Sequence, residues 1–213
     1  MKYIMDDIEK SPSGTAIYSR AIARGLSDNF DIDVGQAAAL TNSYLKRLTE
    51  RRVIERVAKG LYGKTVSSKF GTMLVGRENI IADSLIRKDG RRVGYVTGAS
   101  LFNSLGLCTQ VPRRLQIATN RWRARLPEQS LVEMVAPVTK VTDQNVDYLQ
   151  LVDVLRSFDK YPVDAENPAG IIQERIAERQ LDTVVLVRYI NEYVPNSKLS
   201  QSLELAFGKL EAA

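Results

Sequence analysis

The chain has 213 residues, 44% apolar and 26% charged, with a net charge of +5, one cysteine and no histidine. That apolar share is too high for general disorder, and the length suits one large core or two small ones. Without histidine, and with Cys108 alone, the Ser–His and Cys–His nucleophile pairs, an internal disulfide and an ordinary zinc site are excluded. An enzyme is therefore not expected, and no cofactor or metal is implied. No apolar run nears the ~20 residues of a membrane helix. Residues 1–10 lack the apolar core of a signal peptide, so a cytoplasmic protein with no membrane partner is expected.

In chain order, Ser13–Leu26 predicts a first helix: Tyr18, Ile22 and Leu26 recur every four residues, Arg20 and Arg24 take the opposite face, and Gly25 marks the stop. Asp33 is placed to cap a short second helix, Val34–Leu40, and Thr41 to cap a third, Asn42 to about Arg52. Tyr44, Leu45 and Leu48 form its apolar face. Val53–Ala58 and Leu61–Lys64 then read as strands joined by a Lys59–Gly60 turn, and the polar run Thr65–Phe70 as a linker. This order predicts a winged helix-turn-helix over residues 1–64.

After the linker, Gly76–Arg87 reads as a helix, Asp89–Gly90 as a turn, Arg92–Val96 as a strand, and Ala99–Leu105 as a helix stopped by Gly106. Leu115–Thr119 and Leu131–Val135 are strand candidates. Between them Arg121, Arg123 and Arg125 alternate with Trp122, Ala124 and Leu126, which in a strand puts three guanidiniums on one face and Trp122 toward the core. Helices are expected over Gln144–Phe158, Ala169–Arg179, Asp182–Tyr193 and Ser197–Leu210, with Asp143, Asp147 and Asp153 on a solvated face. The fold class is thus α+β: a winged helix, then a mixed α/β domain over residues 65–213 with a helical tail.

The charge is unevenly spread. Residues 41–64 carry seven basic and two acidic side chains, residues 65–140 twelve and five, and residues 141–213 seven and twelve. A basic middle with an acidic end points to a polyanion-facing centre. In a helix-turn-helix the second helix presents its N-terminal side chains to base edges. That assigns Asn42 and Ser43 to base contact, with Thr41 beside them among the DNA-binding residues, and an Asn amide pairs bidentately with adenine. Lys46 and Arg47 follow one turn on. Arg51, Arg52, Arg56, Lys59 and Lys64 suit phosphate neutralisation. The competing reading is a solvated basic face on an ordinary helical subdomain. Arg113 and Arg114, with Arg121, Arg123 and Arg125, form a second candidate site for a phosphate or an acidic partner, solvation being the alternative.

Two stretches resemble the AbiE-type antitoxins, transcriptional regulators of type IV toxin–antitoxin, abortive-infection phage-defence operons. Arg47–Tyr62 resembles that family's passage from recognition helix to wing, ending in Lys59–Gly60–Leu61–Tyr62. Gly94–Asn120 resembles its second-domain signature, through Thr97–Gly98, Asn103, Leu105–Gly106–Leu107, Thr109–Pro112 and Thr119–Asn120. The resemblance spans roughly residues 40–160. It implies an autorepressor acting on operator DNA with inverted or direct repeats, as a homodimer or cooperative pair. It also implies a second domain that neutralises a nucleotidyltransferase-like toxin, by direct contact or indirectly. On physical grounds much of the signature reads as a folding motif: Thr97 caps a helix, Gly106 ends it, and Pro112 opens an extended segment. The alternatives are a stand-alone winged-helix transcription factor whose second domain senses a ligand or binds RNA, and an enzyme without a recognised motif. No Walker or Rossmann glycine loop is present.

Overall fold

A computed structural model describes residues 2–69, 71–127 and 130–208. The chain is mixed α+β and divides into two compact units, Met1–Ser84 with Arg125–Ser130, and Leu85–Ala124 with Leu131–Ala213. Among the described residues no helix is long and apolar enough to cross a membrane.

The first unit opens with α1 (Lys2–Lys10), which the sequence reading missed: its acidic residues mask the i, i+4 pair Ile4 and Ile8, both buried. A two-residue strand β1 (Ile17–Tyr18) follows, then α2 (Ser19–Phe30). The expected helix from Ser13 thus starts six residues later, at Ser19. It also runs past Gly25. That glycine is a close-approach point and not a stop: a Cβ there would stand 2.4 Å from the Tyr3 hydroxyl oxygen of α1.

The largest correction concerns the next two expected helices, which are one. Helix α3 (Val34–Glu50) is continuous for 17 residues, and Asp33 caps it by accepting from the Gly35 and Gln36 N–H groups at 2.8 and 3.1 Å. Thr41 caps nothing. It occupies the buried stripe Ala37, Thr41, Leu45 and Leu48, is 0% exposed, and its hydroxyl has no hydrogen-bond partner among the described residues. No glycine or proline interrupts residues 36–50, so the helical period overrides the capping preference of threonine.

Strands β2 (Ile54–Ala58) and β3 (Leu61–Ser68) form the expected hairpin around Lys59–Gly60, and β1 pairs with β3 on its other side, giving the order β1-β3-β2. The expected linker is a strand. β3 continues through the Thr65–Ser68 run and pairs with β4 (Gly71–Leu74), Thr65 opposite Leu74 and Val66 opposite Met73. Phe70, the last linker position, lies outside the described residues. The boundary expected at Lys64 therefore falls inside β3, and the first unit extends through most of α4 (Arg77–Ile86). Its core joins Ile4 and Ile8 to Ile22, Leu26, Leu45, Leu48, Ile54 and Tyr62.

The second unit starts with a short hairpin, β5 (Arg87–Lys88) and β6 (Arg91–Arg92), closed by the expected Asp89–Gly90 turn. A three-stranded sheet follows, β7 (Gly94–Thr97), β8 (Leu115–Thr119) and β9 (Val132–Val135), with β7–β8 antiparallel and β8–β9 parallel. Helix α5 (Gly98–Ser104) connects β7 toward β8. Then come α6 (Val146–Ser157), α7 (Pro168–Glu178), α8 (Thr183–Tyr193) and α9 (Leu199–Phe207). The part of the last expected helix at residues 209–210 lies outside the described residues. One core joins Leu101, Phe102, Leu107, Val152, Leu155, Ile172, Leu186 and Ile190, and a second gathers Tyr95, Ala118, Val141 and Leu149.

Candidate nucleic-acid interface

The face of α3 opposite its buried stripe is exposed. It carries Gln36, Ala39 and Leu40, then Asn42, Ser43, Lys46 and Arg47. Because the helix begins at Val34, Asn42 and Ser43 lie in its third turn and not at its N-terminus. Thr41 is removed from the interface, since a fully buried side chain reaches no ligand. The positions that begin the helix, Val34 to Gln36, were missed because the expected break shifted the start to Asn42.

Two further cations join this face. A cleft of about 380 Å³ between α2 and α3 is lined by Ser19, Arg20, Ala23, Arg24, Val34, Ala38 and Asn42. Arg20 and Arg24 are exposed, one helical turn apart, so the sequence already placed them together on the solvent face of α2. The Ser19 N–H donates to the Gly60 carbonyl at 3.0 Å, which sets the Lys59–Gly60 turn beside the start of α2. The result is one surface holding Lys59, Arg20, Arg24 and Asn42, continued along α3 by Lys46.

The remaining expected phosphate contacts differ in freedom. Arg51 and Arg52 are exposed at the end of α3, and exposed Arg56 donates from Nε to its own strand at the Ala58 carbonyl, 3.4 Å away. Lys64 is half-buried, and its ammonium donates to the Glu9 carbonyl at 3.1 Å, near the C-terminal end of α1. A cation there complements the helix dipole, so Lys64 serves the fold.

Within the second unit, Arg113 and Arg114 stand apart from Arg121 and Arg123. Arg113 and Arg114 are exposed in the bend before β8; Arg121 and Arg123 follow it. A five-residue strand separates them by roughly 17 Å. Arg125 belongs with the first unit. The alternating strand over residues 121–125 does not form either. Successive turns, with Trp122 N–H to Thr119 O at 3.1 Å and Ala124 N–H to Arg121 O at 2.7 Å, end the pleat. Trp122 is 42% exposed, not core, and the Arg123 guanidinium lies 4.5 Å from its ring centroid in a cation–π contact.

The Gly94–Asn120 signature spends its polar letters on the fold. A Cβ on Gly94 would meet the Leu85 and Ala118 carbonyl oxygens at 2.5 and 2.7 Å, so only glycine fits. Asn103 donates to Cys108 O at 3.2 Å. Thr109 gives the Asp164 carboxylate its N–H and its hydroxyl, at 3.1 and 2.6 Å, and these bonds hold that carboxyl below the usual range. Asn120 pairs with Val141 through both amide atoms at 2.9 Å.

Thr97, expected to cap α5, donates instead to Asp153 at 2.7 Å, and Tyr95 donates to the same oxygen at 3.0 Å. Asp153 is thus no solvated residue. Burial raises its pKa against the downward pull of the Thr97 and Tyr95 hydrogen bonds, and burial together with the Asp153 charge raises that of Tyr95. Asp147 pairs with Arg179 at 3.6 Å, and Asp143 accepts from the Arg92 N–H at 3.2 Å. Among the described residues no group of three or more Cys, Asp or Glu side chains is placed to hold a metal.

Residues 4–124 match DUF6088, a family of unknown function. The chain belongs to this family. The DUF6088 span takes in the whole exposed face of α3, the hairpins and the Gly94–Asn120 signature, and it stops before α6. No curated protein matches the chain.

Proposed function

We propose that this chain is a DNA-binding transcriptional regulator. Its first unit acts as a winged helix, with α2 and α3 as the helix-turn-helix pair and the β2–β3 hairpin as the wing. The observation that carries the reading is the surface shared by Asn42, Lys46, Arg20, Arg24 and Lys59, which collects cations from helix, helix and hairpin turn in the order such a module requires. Asn42, Ser43 and Lys46 read bases from the middle of α3. Arg51, Arg52 and Arg56 neutralise phosphates.

The likeness of Gly94–Asn120 to the AbiE-type antitoxin signature supports an operon context: repression of a toxin–antitoxin promoter, with the second unit opposing a nucleotidyltransferase-like toxin. Selection from a random duplex library tests the first part, and the winning sequence is expected in the DNA preceding the gene. Replacing both Lys46 and Arg47 by Ala should abolish preference for that sequence while leaving growth rescue from the co-expressed toxin intact. Tight, selective binding by the double variant would remove α3 from the interface. Loss of rescue with retained DNA binding would reverse the division of labour.

A further inference from the structure

The β5–β6 hairpin stacks like charges. Arg87 stands opposite Arg92 and Lys88 opposite Arg91, so every cross-strand pair is cationic. Directly opposed side chains have Cβ atoms about 5 Å apart, and like charges at that spacing destabilise a hairpin. A two-stranded hairpin is also marginal by itself. This one is fixed at its base, with Val93 N–H to Ile86 O and Asn120 N–H to Val93 O, both at 2.8 Å, and with Arg92 N–H to the Asp143 carboxylate. Its turn is pre-formed, Asp89 and Gly90 both having positive φ (51° and 79°).

The fold therefore holds two cationic pairs on one hairpin, Arg87 with Arg92 on one face and Lys88 with Arg91 on the other. Among the described residues no ion pair engages the side chains of Arg87, Lys88, Arg91 or Arg92. Arg121 comes next to the same base, one residue after Asn120. The neighbouring acids are Asp89 in the turn and Asp143 beneath Arg92.

We propose that this hairpin is a second nucleic-acid contact, which grips the phosphodiester backbone of duplex DNA through Arg87, Lys88, Arg91 and Arg92. The proposal rests on the reading of the chain as a DNA-binding regulator and adds a sequence-independent contact from the second unit. An extended polyanion is the fitting partner because the four charges are spread over both faces of a two-stranded ribbon and do not converge on one point. Duplex DNA offers one charge per ~1.7 Å of axis, dense enough to answer paired cations. The hairpin itself, Arg87 to Arg92, carries no apolar side chain that would anchor it in a lipid surface.

The test is a salt titration of binding by the full chain to its selected operator and to a random duplex. Thermal melts confirm that each variant is folded. Replacing Arg87, Lys88, Arg91 and Arg92 together by Gln should weaken both complexes alike. It should lower the slope of log K against log salt by up to ~3.6, at ~0.9 per lost phosphate contact, and keep the sequence preference. Asp89→Asn, which adds one net positive charge and suits the left-handed backbone, should tighten both complexes. An unchanged slope in the Gln variant with no gain in Asp89→Asn overturns the proposal while leaving the operator reading intact. A chain that binds no duplex overturns both. Hairpin-dependent binding to phosphatidylserine vesicles, with duplex binding unaltered by the Gln replacements, would reassign the surface to a membrane.

Discussion

After α3, α5 and α7 the backbone closes in the same way. The N–H groups of Arg52 and Val53 return to Thr49 and Leu48, those of Gly106 and Leu107 to Asn103 and Phe102, and those of Gln180 and Leu181 to Ala177 and Ile176, at 2.9–3.0 Å. The first residue of each pair is left-handed, with φ of 58°, 75° and 50°. Glycine takes this position without a Cβ penalty, whereas Arg52 and Gln180 pay on the order of 1 kcal/mol. Arg52→Gly and Gln180→Gly should therefore each raise the unfolding free energy by about 0.5–1 kcal/mol in chemical denaturation, part of the gain being offset by glycine's greater unfolded-state entropy. The two should differ in function. Arg52 is a proposed phosphate contact, so its replacement should also weaken duplex binding, while Gln180→Gly should not. A stabilised Arg52→Gly variant with unchanged affinity would take Arg52 out of the interface. Only Gly106 was legible as a helix stop, because arginine and glutamine carry no left-handed signature in a sequence.

The same logic separates legible from illegible elements. β8 forms over the expected residues, because Leu115–Thr119 is a short run with apolar Leu115, Ile117 and Ala118 between polar flanks at Arg114 and Asn120. The Asp33 cap and the Asp89–Gly90 turn rest on local chemistry that tertiary context did not overrule. Three failures share one cause: a residue with two admissible roles was assigned by local preference. Thr41 is a good cap and also a tolerable member of an apolar stripe, and its full burial decided for the stripe. Thr65–Ser68 is polar enough for a linker, yet its β-branched start suits the strand that β4 completes. Asp153 fits a polar helix face by spacing, but β7 supplies Tyr95 and Thr97 as donors. That contact between α6 and β7 has a pH signature. The folded chain holds the Asp153 proton more tightly than the unfolded chain, whose value is the ordinary 3.8, because burial raises the folded pKa. The folded state therefore binds more protons in that window, and this group's contribution to stability improves as pH falls through the raised value toward 3.8, then levels off. Asp153→Asn removes the titration. The stability of this variant relative to the native chain should thus fall between pH 7 and about pH 4 in denaturation curves. A relative stability that rises on acidification would mean the carboxylate is stabilised, not strained, by its surroundings.

At the scale of the whole molecule, the basic stretches and the family match coincide: residues 41–140 hold the cationic excess and residues 4–124 the DUF6088 match, while the acidic excess lies in residues 141–213. Whether the Gly94–Asn120 stretch is a ligand site or scaffold then decides how function is divided. Thr119 discriminates between the two. It is 0% exposed, its hydroxyl lies 2.8 Å from the Leu85 carbonyl and 3.1 Å from that of Val93, and it accepts from the Arg121 N–H at 3.2 Å. One hydroxyl thereby ties the end of α4 and the approach to β7 to the turn after β8. Thr119→Val keeps the shape and the strand preference but leaves a buried carbonyl and an N–H with fewer partners, which costs about 1–3 kcal/mol. The melting temperature of the full chain should fall accordingly. At a temperature where the variant remains folded, both operator affinity and its salt slope should match the native chain. Unchanged stability with lost DNA binding or lost toxin rescue would make this stretch a binding site in its own right. A stability loss with both proposed activities preserved in the folded state makes it the frame on which the β5–β6 hairpin and the turn at Arg121 are held.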